Sequence, residues 1–86
     1  MENLFGLTVL AIMRIGFVNN KCGNPDMIGF TNSKGNMIYA KKNESSIEMS
    51  VYKVTARCLY LEIEKDNQLK DVISIIALKL NLTRLK

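Results

Sequence analysis

Residues Leu7 to Val18 read LTVLAIMRIGFV, and the interpretation of that stretch decides the fold. A membrane-spanning helix needs roughly 20 consecutive apolar residues, whereas these 12 are interrupted by Arg14 and Gly16. A secretory signal would open with a basic region and end on a small-residue cleavage site. Glu2 is the only charge before Arg14, and Asn19-Asn20-Lys21 follows. The stretch is dense in Val, Ile, Leu and Phe, has no helix cap, and is apolar on both alternating faces. Those properties predict a first strand covered on both sides. The lead-in Met1 to Gly6 is expected to be flexible.

Working outward, Asn19 to Asp26 gathers Asn, Lys, Cys, Gly, Pro and Asp, and Gly23 with Pro25 punctuates a loop. Met27–Thr31 and Met37–Lys41 then flank Asn32-Ser33-Lys34-Gly35-Asn36. This predicts a hairpin, because Asn and Ser close local turns with their side chains and Gly35 accepts the positive φ of a type I turn plus bulge. Lys42 to Ser46 is a second polar break. After it, Ile47, Met49 and Val51 alternate with Glu48 and Ser50, and Leu59, Leu61 and Ile63 alternate with Tyr60, Glu62 and Glu64, so two more strands are expected. The join at Val54 to Arg57 lacks Gly and Pro, which leaves one long bent strand as an alternative. Helical spacing of Ile47, Val51, Val54, Cys58 and Leu61 leaves a helix as another.

The period changes at the C-terminal end. Asp66 or Asn67 can cap a helix, and Leu69, Val72, Ile73, Ile76 and Leu80 recur at spacings of three and four, which predicts a helix over 67–80. Ile76, Leu78, Leu80 and Leu82 also alternate, so the last residues have an extended alternative. The expected architecture is therefore α+β: about five short antiparallel strands in one sheet, with a single C-terminal helix packed on one face. At 86 residues the chain is one domain, 1–86. Leu61 to Asn67 followed by Leu69, Val72 and Ile76 resembles the strand-into-helix step of ubiquitin-like folds. The strands that a β-grasp has after its helix are missing, so the resemblance stops at that unit.

The chemistry on offer is sparse. The chain has no histidine, which removes the usual general base and the commonest metal ligand. Cys22 and Cys58 fit no zinc spacing. Cys58, in an apolar strand, reads as a small hydrophobe, and Cys22, beside Lys21 in a polar loop, as the more reactive thiol. Both are expected unpaired, which points to a reducing, cytoplasmic location. Glu62, Glu64 and Asp66 read as a solvated edge rather than a metal or acid–base site. No glycine-rich phosphate cradle occurs. Neither catalytic residues, nor a metal, nor a cofactor is expected.

Hydrophobic residues make up 48% of the chain, and the net charge is +4. So small a body cannot bury them all, which argues for a partner surface and a homo-oligomer, with Ile75, Leu78 and Leu82 as the helix's second apolar face. The charge is uneven: residues 1–43 hold five bases against two acids. Of these bases, Arg14, Lys21, Lys34, Lys41 and Lys42, with Tyr39 as a stacking platform, form a candidate macromolecule-binding surface. Lysines on a hairpin edge also guard against edge-to-edge aggregation. The expected function is a small non-enzymatic module that binds another protein as adaptor, subunit or inhibitor. A nucleic-acid-binding protein using the basic hairpin is the alternative.

Overall fold

A computed structural model describes residues 2–21 and 24–82. The chain runs α1 (Glu2–Arg14), β1 (Val18–Lys21), β2 (Met27–Thr31), β3 (Met37–Lys42), β4 (Ile47–Lys53), β5 (Ala56–Ile63), a single 3₁₀ turn (Asp66–Gln68) and α2 (Leu69–Lys79). The five strands form one antiparallel sheet in the order β1-β2-β3-β4-β5, so every strand pairs with its neighbour in sequence. The α+β class, the five-stranded sheet and the C-terminal helix are as the sequence predicts.

The first strand is not where the sequence placed it. Residues 7–14 belong to α1, a second helix, and the first strand is the short, polar Val18–Lys21. Leu4, Thr8 and Ile12 recur every fourth residue and are all buried. They form the inward stripe of a helix, and Ala11 and Ile15 pack beside it. Thr8 fits this apolar stripe by donating its hydroxyl to the Leu4 carbonyl at 2.8 Å, so no buried polar group is left unpaired. The helix stops at Gly16, whose φ of +96° is the left-handed conformation in which glycine closes a helix end. Its N–H donates back to the Met13 carbonyl at 3.1 Å. Because Leu4 is buried within the first turn, the expectation of a flexible lead-in is also corrected.

The β2–β3 hairpin closes as its residues predict. Asn32 Oδ1 accepts the Lys34 N–H at 3.1 Å and the Asn36 N–H at 2.9 Å. Gly35 takes a φ of +82°. Between β4 and β5 the chain turns tightly at Val54-Thr55, with Lys53 facing Ala56 across the pair. There are thus two strands here and not one bent strand or a helix. With no glycine at hand, Val54 itself adopts the left-handed region, φ 62°. At the far end α2 is closed by Asn81, at φ 55°. Leu82 donates to Ala77 O at 2.9 Å, and Asn81 to Leu78 O at 3.3 Å. This paired closure of the last carbonyls ends the helix in place of the extended alternative.

Both helices lie on one face of the sheet. Phe30, Ile38, Ala40, Ile47, Met49, Val51 and Ile63 form the buried face of the strands and cluster with Leu4 and Ile12 of α1, Phe17, and Val72, Ile73, Ile76 and Leu80 from the α2 region. Among the described residues, the other face carries no helix.

Candidate functional site

That uncovered face is ordered by the strand register. Met37 lies opposite Tyr52, Tyr39 opposite Ser50, and Lys41 opposite Glu48. On the next pair, Tyr52 faces Arg57, Ser50 faces Tyr60 and Glu48 faces Glu62. Met27, Gly29 and Thr31 continue the rows onto β2. Three tyrosines, two methionines and an arginine therefore share one surface.

One irregularity makes this possible. Arg57 and Tyr60 are three residues apart, so in a regular strand they would point to opposite faces. The register shifts between Val51 and Tyr52: Val51 pairs with Leu59, Tyr52 pairs with Arg57, and Cys58 is left without a partner. This is a β-bulge, a device that re-aims side chains along a strand. Cys58, half-buried, packs with Leu59 against the core, and Arg57 turns to the open face. Its guanidinium lies 5.8 Å from the centre of the Tyr60 ring, within cation–π range. Tyr39 and Tyr52 meet edge to face, with ring centres 5.8 Å apart and planes at 89°.

Tyr60 is also tied through its hydroxyl, which donates to Glu48 and lies 3.4 Å from Glu62 Oε1. Asn43 donates to the other Glu48 oxygen. The hydrogen bond from Tyr60, then that from Asn43, with the nearby charge of Lys41, holds the Glu48 carboxyl below the usual carboxylate range. The same bond to Glu48 pushes the Tyr60 hydroxyl up to about 12. These bonds tie Tyr60 of β5 and Asn43 to Glu48 of β4 and so brace the two strands on the open face.

The expected cationic surface is only partly assembled. Tyr39 and Lys41 share the open face, whereas Lys42 points to the helix side. There it lies 3.9 Å from Asp26 Oδ1 and 5.8 Å from the centre of the Phe5 ring. Lys34 sits exposed at the hairpin tip, at the far end of β3, and Arg14 ends α1. Lys21 ends β1, and its side chain lies outside the described residues, as does Cys22. Because β2 and β3 are interior strands, Lys34, Lys41 and Lys42 line no sheet edge, and the edge-guarding reading is corrected. The edges are β1 and β5.

On the helix side, the second apolar face expected at Ile75, Leu78 and Leu82 is broken up. Ile75 and Leu78 are exposed, but Leu82 follows the helix cap and packs on the core. The sequence reading missed a larger apolar exposure on α1, where Leu7, Leu10 and Met13 are all about half exposed. Its signal was the all-round apolar character of 7–18, which a helix with one buried face must partly show to water.

Cys58 carries a free thiol. Among the described residues, no cluster of three His, Cys, Asp or Glu side chains is placed to hold a metal ion. Among them too, no helix is long and apolar enough to cross a membrane. No protein-family model, curated protein or solved structure matches the chain.

Proposed function

We propose that this chain is a small non-enzymatic interaction module that binds another protein through the open face of its sheet and works as a homo-oligomer. One observation carries the reading: Tyr39, Tyr52, Tyr60, Met27, Met37 and Arg57 lie together on a face that neither helix covers. Tyr, Met and Arg are the side chains enriched at protein interfaces, and clustered aromatics with arginine are typical anchors. The bulge at Cys58 supports it further, since it brings Arg57 to this face at the cost of one ladder pairing. Charge favours a protein over a nucleic acid as partner. Lys41 and Arg57 are balanced on the same face by Glu48 and Glu62, so the face lacks the cationic field that phosphates require. The unpaired Cys58 thiol suits a reducing compartment such as the cytoplasm.

The test is retention from a nuclease-treated extract of the source cells on the immobilised protein, in parallel with Tyr39→Ala/Tyr52→Ala. A protein held by the parent in near-stoichiometric amount and lost from the double variant is the expected result. Retention that is equal on both columns rejects the open face as the site. A parent that instead shifts labelled oligonucleotides, with an affinity falling steeply in salt, promotes nucleic acid to the partner.

A further inference from the structure

α1 contains a residue that the monomer does not use. Gly6 lies inside the helix, where glycine is less favourable than alanine because its backbone gives up more freedom on folding. It has no positive φ to accommodate, and a Cβ built on it meets nothing within 4 Å. Nothing inside the chain therefore excludes a side chain there. Gly6 is exposed, and so are Asn3, Leu7, Leu10, Met13 and Arg14 on the same outer side of α1. Leu7, Leu10 and Met13 are 46%, 55% and 45% exposed. A small residue amid large apolar ones on the outer side of a helix is what a close approach of a second helix would require.

The groups flanking this ridge indicate which helix that is. Beside the first half of α1 opens a groove lined by Gly6, Leu7 and Leu10, together with Ile28 and the acids Glu64 and Asp66. Beside its second half lies a smaller one lined by Ala11, Arg14, Lys70 and Ile73, with Asp66 where the two meet. Glu64 thus flanks the first half of the ridge and Arg14 and Lys70 the second, with Asp66 shared between them.

We infer that a second copy of this chain docks here, with the two α1 helices packed antiparallel about a twofold axis. Antiparallel pairing puts the Arg14–Lys70 half of each copy against the half of the other that Glu64 flanks, so a single charge pattern is satisfied twice, as an isologous interface demands. It also puts Leu10 of each copy across from the gap left by the other's Gly6, about half-way along a helix roughly 20 Å long. The open sheet faces are left outward and free. The inference extends the interaction-module reading to a second surface, and the two fail separately because their variants lie on opposite faces of the sheet.

Sedimentation equilibrium of the full chain over a concentration series tests it, with circular dichroism confirming that each variant is folded. The parent should approach twice the monomer mass. Leu10→Lys should weaken the dimer at least tenfold, and Leu78→Lys on α2 should leave it unchanged. Gly6→Ala should raise the melting temperature of the dilute monomer and still weaken the dimer. Arg14→Glu and Glu64→Lys should each weaken association, and the double variant should recover it. A parent that is monomeric throughout overturns the proposal. Loss of the dimer in Leu78→Lys rather than Leu10→Lys moves the interface to α2 and also overturns it. A double charge variant no better than either single one overturns the antiparallel register.

Discussion

Val54 is the residue most at odds with its own backbone. A β-branched side chain at φ 62° is disfavoured by roughly 1–2 kcal/mol. Because Val54 is 57% exposed, its side chain returns little burial for that cost. Val54→Gly should therefore stabilise the domain by about 1 kcal/mol, read in a thermal melt as an increase of roughly 4–8 °C. An unchanged or lower melting point would mean that the turn is not left-handed at this residue. Tyr60 gives a second residue-scale expectation. Its hydroxyl is pushed up to about 12 by the Glu48 carboxylate. A folded pKa above the unfolded value of about 10 gives a contribution that is complete below pH 10 and lost as the pH rises through 12. Glu48, held low by the same bond, loses its share when the pH falls below the ordinary carboxylate range. Tyrosinate absorbance assigned to Tyr60, as the difference between parent and Tyr60→Phe, should thus develop near pH 12, and a step near pH 10 would contradict the Tyr60–Glu48 bond. Alternation in the sequence already puts Glu48 and Tyr60 on the polar side of their strands, but it assigns Arg57 and Tyr60 to opposite faces. Only the unpaired Cys58 reverses that.

Elements were legible where the period and the punctuation agreed. Met27–Thr31, the Asn32–Asn36 turn and the following strand carry alternation bounded by Asn and Gly, and they form as read. The C-terminal helix declares itself by Leu69, Val72, Ile73, Ile76 and Leu80. The stretch 7–18 misled because apolar residues on all sides erase both periods, and the absence of a polar cap removed the usual start signal. Two clues remained: its 12 residues exceed the common strand length of about 5–6, and Gly16 sits where a helix closes. Helix and strand make different demands on Ile12. As a fully buried member of the inward stripe, in one core cluster with Ile76 of α2, it should cost about 2–5 kcal/mol when cut to alanine, comparable to Ile76→Ala. Chemical denaturation of the two variants checks this. A negligible loss for Ile12→Ala would make α1 an accessory to a core that stands without it.

At the scale of the molecule, the strand order 1-2-3-4-5 joins only neighbours in sequence, and the layer that seals the sheet is split between the two ends of the chain. During synthesis α1 emerges before the strands and can wait for them, whereas α2 emerges only after them. Until Leu69 to Leu80 have left the ribosome, the side of β5 bearing Leu61 and Ile63 lacks the helix that packs on it. A chain stopped at Lys65 should consequently hold strand pairs yet bind a hydrophobic dye and aggregate, while one stopped at Leu82 should do neither. A monodisperse, dye-negative chain of 65 residues would show that the sheet closes without α2. Nascent copies then face a hazard that folded ones do not: for as long as α2 is withheld from the sheet, neighbouring chains on one message expose the same sticky surface at the same moment, and a chaperone or a pause in translation would decide how many of them close.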